Sequence, residues 1–122
     1  MFDHIGLKVK DLDASVRFYG AALAPLGYEV TSQDESTAAF AAKGGSSLWL
    51  YADAQLAHSL VHVAFTAPSR SAVDAFHREG LKARGRDNGA PGVRKDYSPD
   101  YYAAFVFDPD GNNIEAVCQK MA

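Results

Sequence analysis

YYAAFVFDPDGNNIEAVC, residues 101–118, sets two apolar runs on either side of a turn cluster. In Asp108-Pro109-Asp110-Gly111-Asn112 the proline presets φ for a turn, and the glycine takes positive φ without steric cost. The stretch predicts a β-hairpin with arms Tyr102–Phe107 and Asn113–Cys118. Alternation along the second arm puts Ile114, Ala116 and Cys118 on one face and Asn113, Glu115 and Val117 on the other. A carboxylate in the middle of such a strand is either a solvated edge charge or has a partner elsewhere in the chain.

Upstream of the hairpin one order of elements is expected twice. FDHIGLKV (2–9) alternates, with Ile5, Leu7 and Val9 opposite Phe2, His4, Gly6 and Lys8. Asp11 and Asp13 offer N-caps for a helix over 14–23 whose stripe is Val16, Tyr19, Ala22 and Leu23, and Pro25 and Gly27 end it. Strands follow at 28–31, 36–42 and 46–51, the last two joined by Lys43-Gly44-Gly45. LVHVAFT (60–66) then repeats the opening, with Val61, Val63 and Phe65 opposite His62, Ala64 and Thr66. Ser69 or Ser71 caps a second helix over 72–79, with Gly80 as its stop and 81–83 as a short strand. A glycine- and proline-containing stretch, 85–99, leads into the hairpin. Laying His4 on His62 superposes the two halves by element order. The chain is read as α+β, one domain over 1–122, built from two βαβββ modules over about 1–55 and 58–122.

Composition narrows the partners. Twelve Lys and Arg against 15 Asp and Glu give a net charge of −3 with no basic block, so nucleic acid is not expected. No apolar run is long enough to span a bilayer, and no membrane partner is expected. The opening MFDHIGLKVKDL lacks the apolar core of a signal peptide, and the single Cys118 rules out an intrachain disulfide. Together these predict a cytoplasmic protein, with Cys118 as a small buried apolar side chain.

The chemistry lies on the faces opposite the apolar sets. If Ile5, Leu7 and Val9 pack under the first helix, His4 points to the other side of its sheet, and the same logic applies to His62 and Glu115. Two neutral imidazoles and one carboxylate on three strands suit a divalent metal with open positions for substrate or water. A lone strand histidine is more often a surface or satisfied interior residue, so the reading rests on the shared facing of all three.

DHIGLKVKDLDASVRFY (3–19) and YYAAFVFDPDGNNIEAV (101–117) resemble the vicinal oxygen chelate superfamily, which holds glyoxalase I, extradiol dioxygenases, fosfomycin-resistance enzymes and bleomycin-binding proteins. The resemblance runs from His4 to Val117. It implies paired βαβββ modules whose eight strands form a cupped mixed sheet around a divalent ion (Fe, Mn, Ni, Zn or Mg). It carries His4, His62 and Glu115 over as metal ligands, with Glu115 catalytic. It also implies a homodimer, in which modules are exchanged or paired across the two copies, and a small-molecule substrate chelated through vicinal oxygens. Lyase or isomerase chemistry like that of lactoylglutathione lyase is favoured. Extradiol-type ring opening at a 2-His-1-Glu site and metal-free antibiotic binding of the bleomycin-resistance type stand as alternatives.

The chain departs from these patterns. Glyoxalase I-like enzymes take a further carboxylate from the last strand of the first module, but SSLWLY (46–51) contains no acid. Extradiol enzymes use a further histidine and tyrosine near the last strands; Tyr97, Tyr101 and Tyr102 are available, yet 82–115 holds no histidine. Trp49, Arg94, Tyr97 and Tyr102 are the candidate substrate contacts. Arg94 is chosen for the planar fork with which it can meet a carboxylate or phosphate, and the aromatics as pocket walls.

Overall fold

The hairpin arms fall where alternation puts them, Tyr102–Phe107 and Asn113–Cys118. The computed structural model describes residues 2–121. In chain order the elements are β1 (His4–Val9), α1 (Leu12–Leu23), β2 (Tyr28–Gln33), β3 (Thr37–Ala42), β4 (Ser47–Ala52), β5 (His62–Thr66), α2 (Arg70–Lys82), β6 (Arg86–Val93), β7 (Tyr102–Phe107) and β8 (Asn113–Cys118), with a 3₁₀ turn at Ala24–Leu26. Asp11 caps α1 by accepting from the Ala14 amide, and Ser69 caps α2 by accepting from that of Ala72, so each helix starts at a side-chain acceptor.

The eight strands divide into two four-stranded mixed sheets, β1-β4-β3-β2 and β5-β8-β7-β6. In each, the first strand of the module lies parallel to the last, and the remaining pairs are antiparallel. The two βαβββ modules are thus present, but within one chain their strands form two sheets. Both apolar faces feed one core that includes Val9, Phe18, Phe40, Leu50, Phe76 and Ile114. Tyr28 of module 1 meets Phe65 of module 2 edge-on, with ring centroids 5.5 Å apart.

Two local expectations are corrected. Residues 81–83 are not a strand: α2 runs on to Lys82, and Gly80 does not stop it. Gly80 instead lies buried where α2 packs on α1, and an added Cβ there would make ordinary contact, 3.5 Å, with Ala22 Cβ and Phe18 Cε1. The chain turns only after Arg84, at Gly85, where a Cβ would come within 2.5 Å of Phe18 and Val106. The second correction is β6, RDNGAPGV, which carries no strand signal of its own and is a strand because it pairs with β7 through two register shifts.

The turn at 108–112 ties the modules together. Asp108 is buried, and its carboxylate accepts four hydrogen bonds: from the amides of Asp110 (2.9 Å) and Asn112 (2.8 Å), from Asn112 Nδ2 (2.9 Å), and from the Tyr19 hydroxyl on α1. Asp110 accepts from the Lys10 amide between β1 and α1 (3.2 Å). The Asn112 side-chain oxygen accepts from Ser59 Oγ (2.6 Å) and the Val61 amide (2.9 Å), holding the segment that enters β5.

Removing one donor from a buried carboxylate costs about 1.5–3 kcal/mol. Urea denaturation of Tyr19→Phe should show a loss of that size. Burial, and then the neighbouring Asp108 charge, holds the Tyr19 phenol well above the ordinary tyrosine range. Because the folded value is the raised one, this contribution is complete below about pH 10 and is lost as the pH rises toward the folded value. Stability measured against pH should therefore fall on the alkaline side of about pH 10, and less steeply in Tyr19→Phe.

Candidate functional site

Glu115 is 3% exposed although it lies on the sheet face away from the core. In the register it pairs with Ala64 of β5 and Phe105 of β7. Its two oxygens have different partners. Oε2 accepts from the Tyr101 hydroxyl, and Oε1 lies 3.1 Å from His62 Nε2. Burial first, and then the bond to Glu115 and its charge, pushes the Tyr101 phenol up to about 12, so it stays a donor at neutral pH.

His62 is oriented from behind. Its Nδ1 lies 2.8 Å from the Asn113 carbonyl oxygen, which can only accept, so Nδ1 carries a proton. In the neutral ring Nε2 then presents a lone pair to a carboxylate oxygen. Two acceptors at this distance repel unless a cation lies against both or Nε2 is protonated. A ring nitrogen fixed through its partner's hydrogen bond to a carbonyl is the usual support of a metal-ligating histidine. The donor set therefore fits a divalent ion at two positions, His62 Nε2 and Glu115 Oε1.

The third expected ligand is elsewhere. His4 starts β1 in the other sheet, is exposed, and pairs through Nδ1 with Asp3 (2.7 Å). Among the described residues no three His, Cys, Asp or Glu side chains gather as a metal-binding group. The register also shows what replaces the missing carboxylate of module 1. Trp49 pairs with Gly6 as Glu115 pairs with Ala64, so an indole stands at the position equivalent to Glu115. It stacks on Tyr51, with centroids 6.4 Å apart.

The other candidates separate. Tyr102 turns to the helix side, where its hydroxyl donates to Asp74 (2.6 Å) and Arg70 lies over its ring, so it is not on the Glu115 face. Tyr97 is 64% exposed and meets Tyr101 edge-on at 5.0 Å, beside the site. Arg94 lies over Phe105, 5.4 Å from its centroid, and the same ring stacks against His62 at 6.3 Å. Tyr101 and Phe105 are the residues that the choice of Tyr102 missed. Counting back in twos from Phe105 would have placed Tyr101 on the side of Glu115 and Tyr102 on the opposite one. A cleft of about 300 Å³ opens between the modules, lined in part by Phe2, Ile5, Tyr28, Val63 and Phe65. It holds neither histidine nor Glu115, so the site is identified by its chemistry and not by this volume.

The fold agrees with comparison to known proteins. The family model of the Glyoxalase/Bleomycin resistance protein/Dioxygenase superfamily matches residues 1–116, and the chain belongs to that superfamily. A glyoxalase/bleomycin resistance protein from Albidiferax ferrireducens T118 is 30% identical over 96% of this chain and 97% of its own, with a TM-score of 0.83. A glyoxalase/dioxygenase from Nostoc punctiforme shares the fold at 23% identity, covering 98% of this chain and 90% of its own, with a TM-score of 0.74. No curated protein matches. Among the described residues no helix is long and apolar enough to cross a membrane.

Tyr101→Phe should destabilise the protein by about 1.5–3 kcal/mol in urea denaturation, because it strips a hydrogen bond from a buried carboxylate. Tyr102→Phe, on the helix side, should leave the environment of Glu115 unchanged, as read by the His62 ring resonances.

Proposed function

We propose that the chain is a metal-dependent enzyme acting on a small substrate chelated through two vicinal oxygens, with lyase or isomerase chemistry favoured. The observation that carries this reading is the contact of His62 Nε2 with Glu115 Oε1 at 3.1 Å, with the imidazole backed by a carbonyl. His62 and Glu115 would hold a divalent ion (Fe, Mn, Ni, Zn or Mg), and His4 of a second copy would complete the set. When bound, the ion supplies Lewis-acid polarisation of substrate oxygens.

The chain's own residues divide the remaining work. Tyr101 keeps Oε2 of Glu115 occupied, which leaves Oε1 as the oxygen able to ligate or to take a proton. The Asn113 carbonyl keeps the His62 ring from rotating. Trp49 stands where a second carboxylate would act as base in a glyoxalase, so proton transfer would fall to Glu115 itself. Tyr97 and Arg94 would meet the substrate from the side of β7.

Dimerisation belongs to the same reading. β1 and β5 are each unpaired along one edge, and they carry His4 and His62. Phe2 and Leu60, just ahead of these strands, are 69% and 73% exposed. Large apolar side chains beside two open strand edges favour covering by a second copy. A cytoplasmic location accords with the single free cysteine.

Untagged protein should take up Mn²⁺, Ni²⁺ or Zn²⁺ on titration, and His62→Ala should abolish uptake. His4→Ala should abolish it too. Refolding His4→Ala together with His62→Ala in equal amounts should restore about a quarter of the sites, because about half of the dimers are mixed and one of the two sites in each draws both intact histidines. A site contained in one chain would not be restored. No uptake of any of these ions by the wild type would leave ligand binding without metal as the surviving reading.

A further inference from the structure

Arg94 is held in a way that its place in a loop after β6 does not require. Its Nη1 donates to the Gly92 carbonyl (3.1 Å) and its Nη2 to that of Ala90 (2.7 Å), so the side chain folds back on its own strand. The guanidinium lies over Phe105, the ring that also stacks against His62. β6 is shaped around this arrangement. A Cβ at Gly89, where φ is +156°, would lie 2.9 Å from Phe105 and 3.1 Å from Arg94 Nη2, and one at Gly92 would lie 3.2 Å from Nη1. The glycines and the two register shifts make room for the guanidinium and aim two carbonyls at it.

The charge is not compensated. Arg94 forms no ion pair with any carboxylate among the described residues. The acid on the same face, Glu115, has one oxygen on Tyr101 and the other toward His62. Of the five N–H groups of a guanidinium, two are spent on backbone carbonyls and three remain. A half-buried cation that is fixed in orientation, backed by an aromatic ring and left without a counter-ion is ready for an oxyanion.

We propose that Arg94 is the receptor for an oxyanion group on the substrate, so that the molecule handled beside His62 and Glu115 bears a carboxylate or phosphate that docks on Arg94 across Phe105. The proposal rests on His62 and Glu115 being the reacting centre, and it names the substrate class as small anionic hydroxy- or oxo-compounds. Neutral substrates of the same shape would leave the guanidinium desolvated and unpaired.

The test uses metal-free full-length protein, so that metal uptake does not enter. Malonate, inorganic phosphate and neutral malonamide are titrated by calorimetry into the wild type, Arg94→Gln and Arg94→Lys. Malonate or phosphate should bind and malonamide should not, and whichever anion binds more tightly identifies the group. Arg94→Gln should weaken that anion about tenfold or more, with Arg94→Lys between the two. If Arg94→Gln fails to fold, Arg94→Lys decides, since it keeps the charge and loses the fork. Equal affinity in a folded variant, equal binding of malonamide, or no anion binding by the wild type overturns the proposal. Metal uptake that depends on His62 without an Arg94 effect would sink this inference alone. An Arg94-dependent anion site in a protein that takes up no metal would sink the metal reading and leave the receptor standing.

Discussion

A buried carboxylate must be surrounded by donors, and the Asp108 carboxylate is where the two modules are locked together. Removing an ionised carboxylate from water costs several kcal/mol unless hydrogen bonds replace the lost hydration. Asp108 takes three of its four bonds from its own turn and the fourth from Tyr19, which belongs to the helix of the other module. Satisfying the turn therefore requires α1 in place. Through Asp110 and Asn112 the same five residues hold the start of α1 and the entry to β5. The strand that begins at Asn113 thus leaves a rigid origin, and Glu115 is its third residue.

That origin gives the functional face its register. Once Asn113 is fixed, its carbonyl meets His62 Nδ1 and the Glu115 side chain lies against Nε2. Tyr101 satisfies one Glu115 oxygen, and the other meets Nε2, which attracts it if protonated and repels it if not. With the ring neutral, a cation between Nε2 and Oε1 would relieve that repulsion. Arg94 shows the opposite deficit two strands away, a cation without an anion. Both deficits lie on the same sheet face and touch the same phenylalanine.

Module 1 has no equivalent of this face. The register equates Trp49 with Glu115 and Gly6 with Ala64, so the repeat holds in the backbone while an indole stands in module 1 where module 2 has a carboxylate. A stacked Trp49–Tyr51 pair and an exposed His4 remain.

The amino-acid sequence alone determined the hairpin, the repeated βαβββ order, the caps at Asp11 and Ser69, and the facing of His4, His62 and Glu115. Each of these is a property of a short stretch, set by alternation, a turn residue or a capping side chain. Tyr101 was legible too, had the alternation been followed one residue beyond the strand. Tertiary structure decided the rest. β6 is a strand only because β7 offers it a ladder, and Gly80 is a helix contact only because α1 lies behind it. The division of eight strands into two sheets parts His4 from His62 and Glu115, although all three point away from the core. Alternation fixes the side of a sheet on which a residue lies. Which sheet edges meet depends on pairing between segments distant in sequence, and no local pattern encodes that.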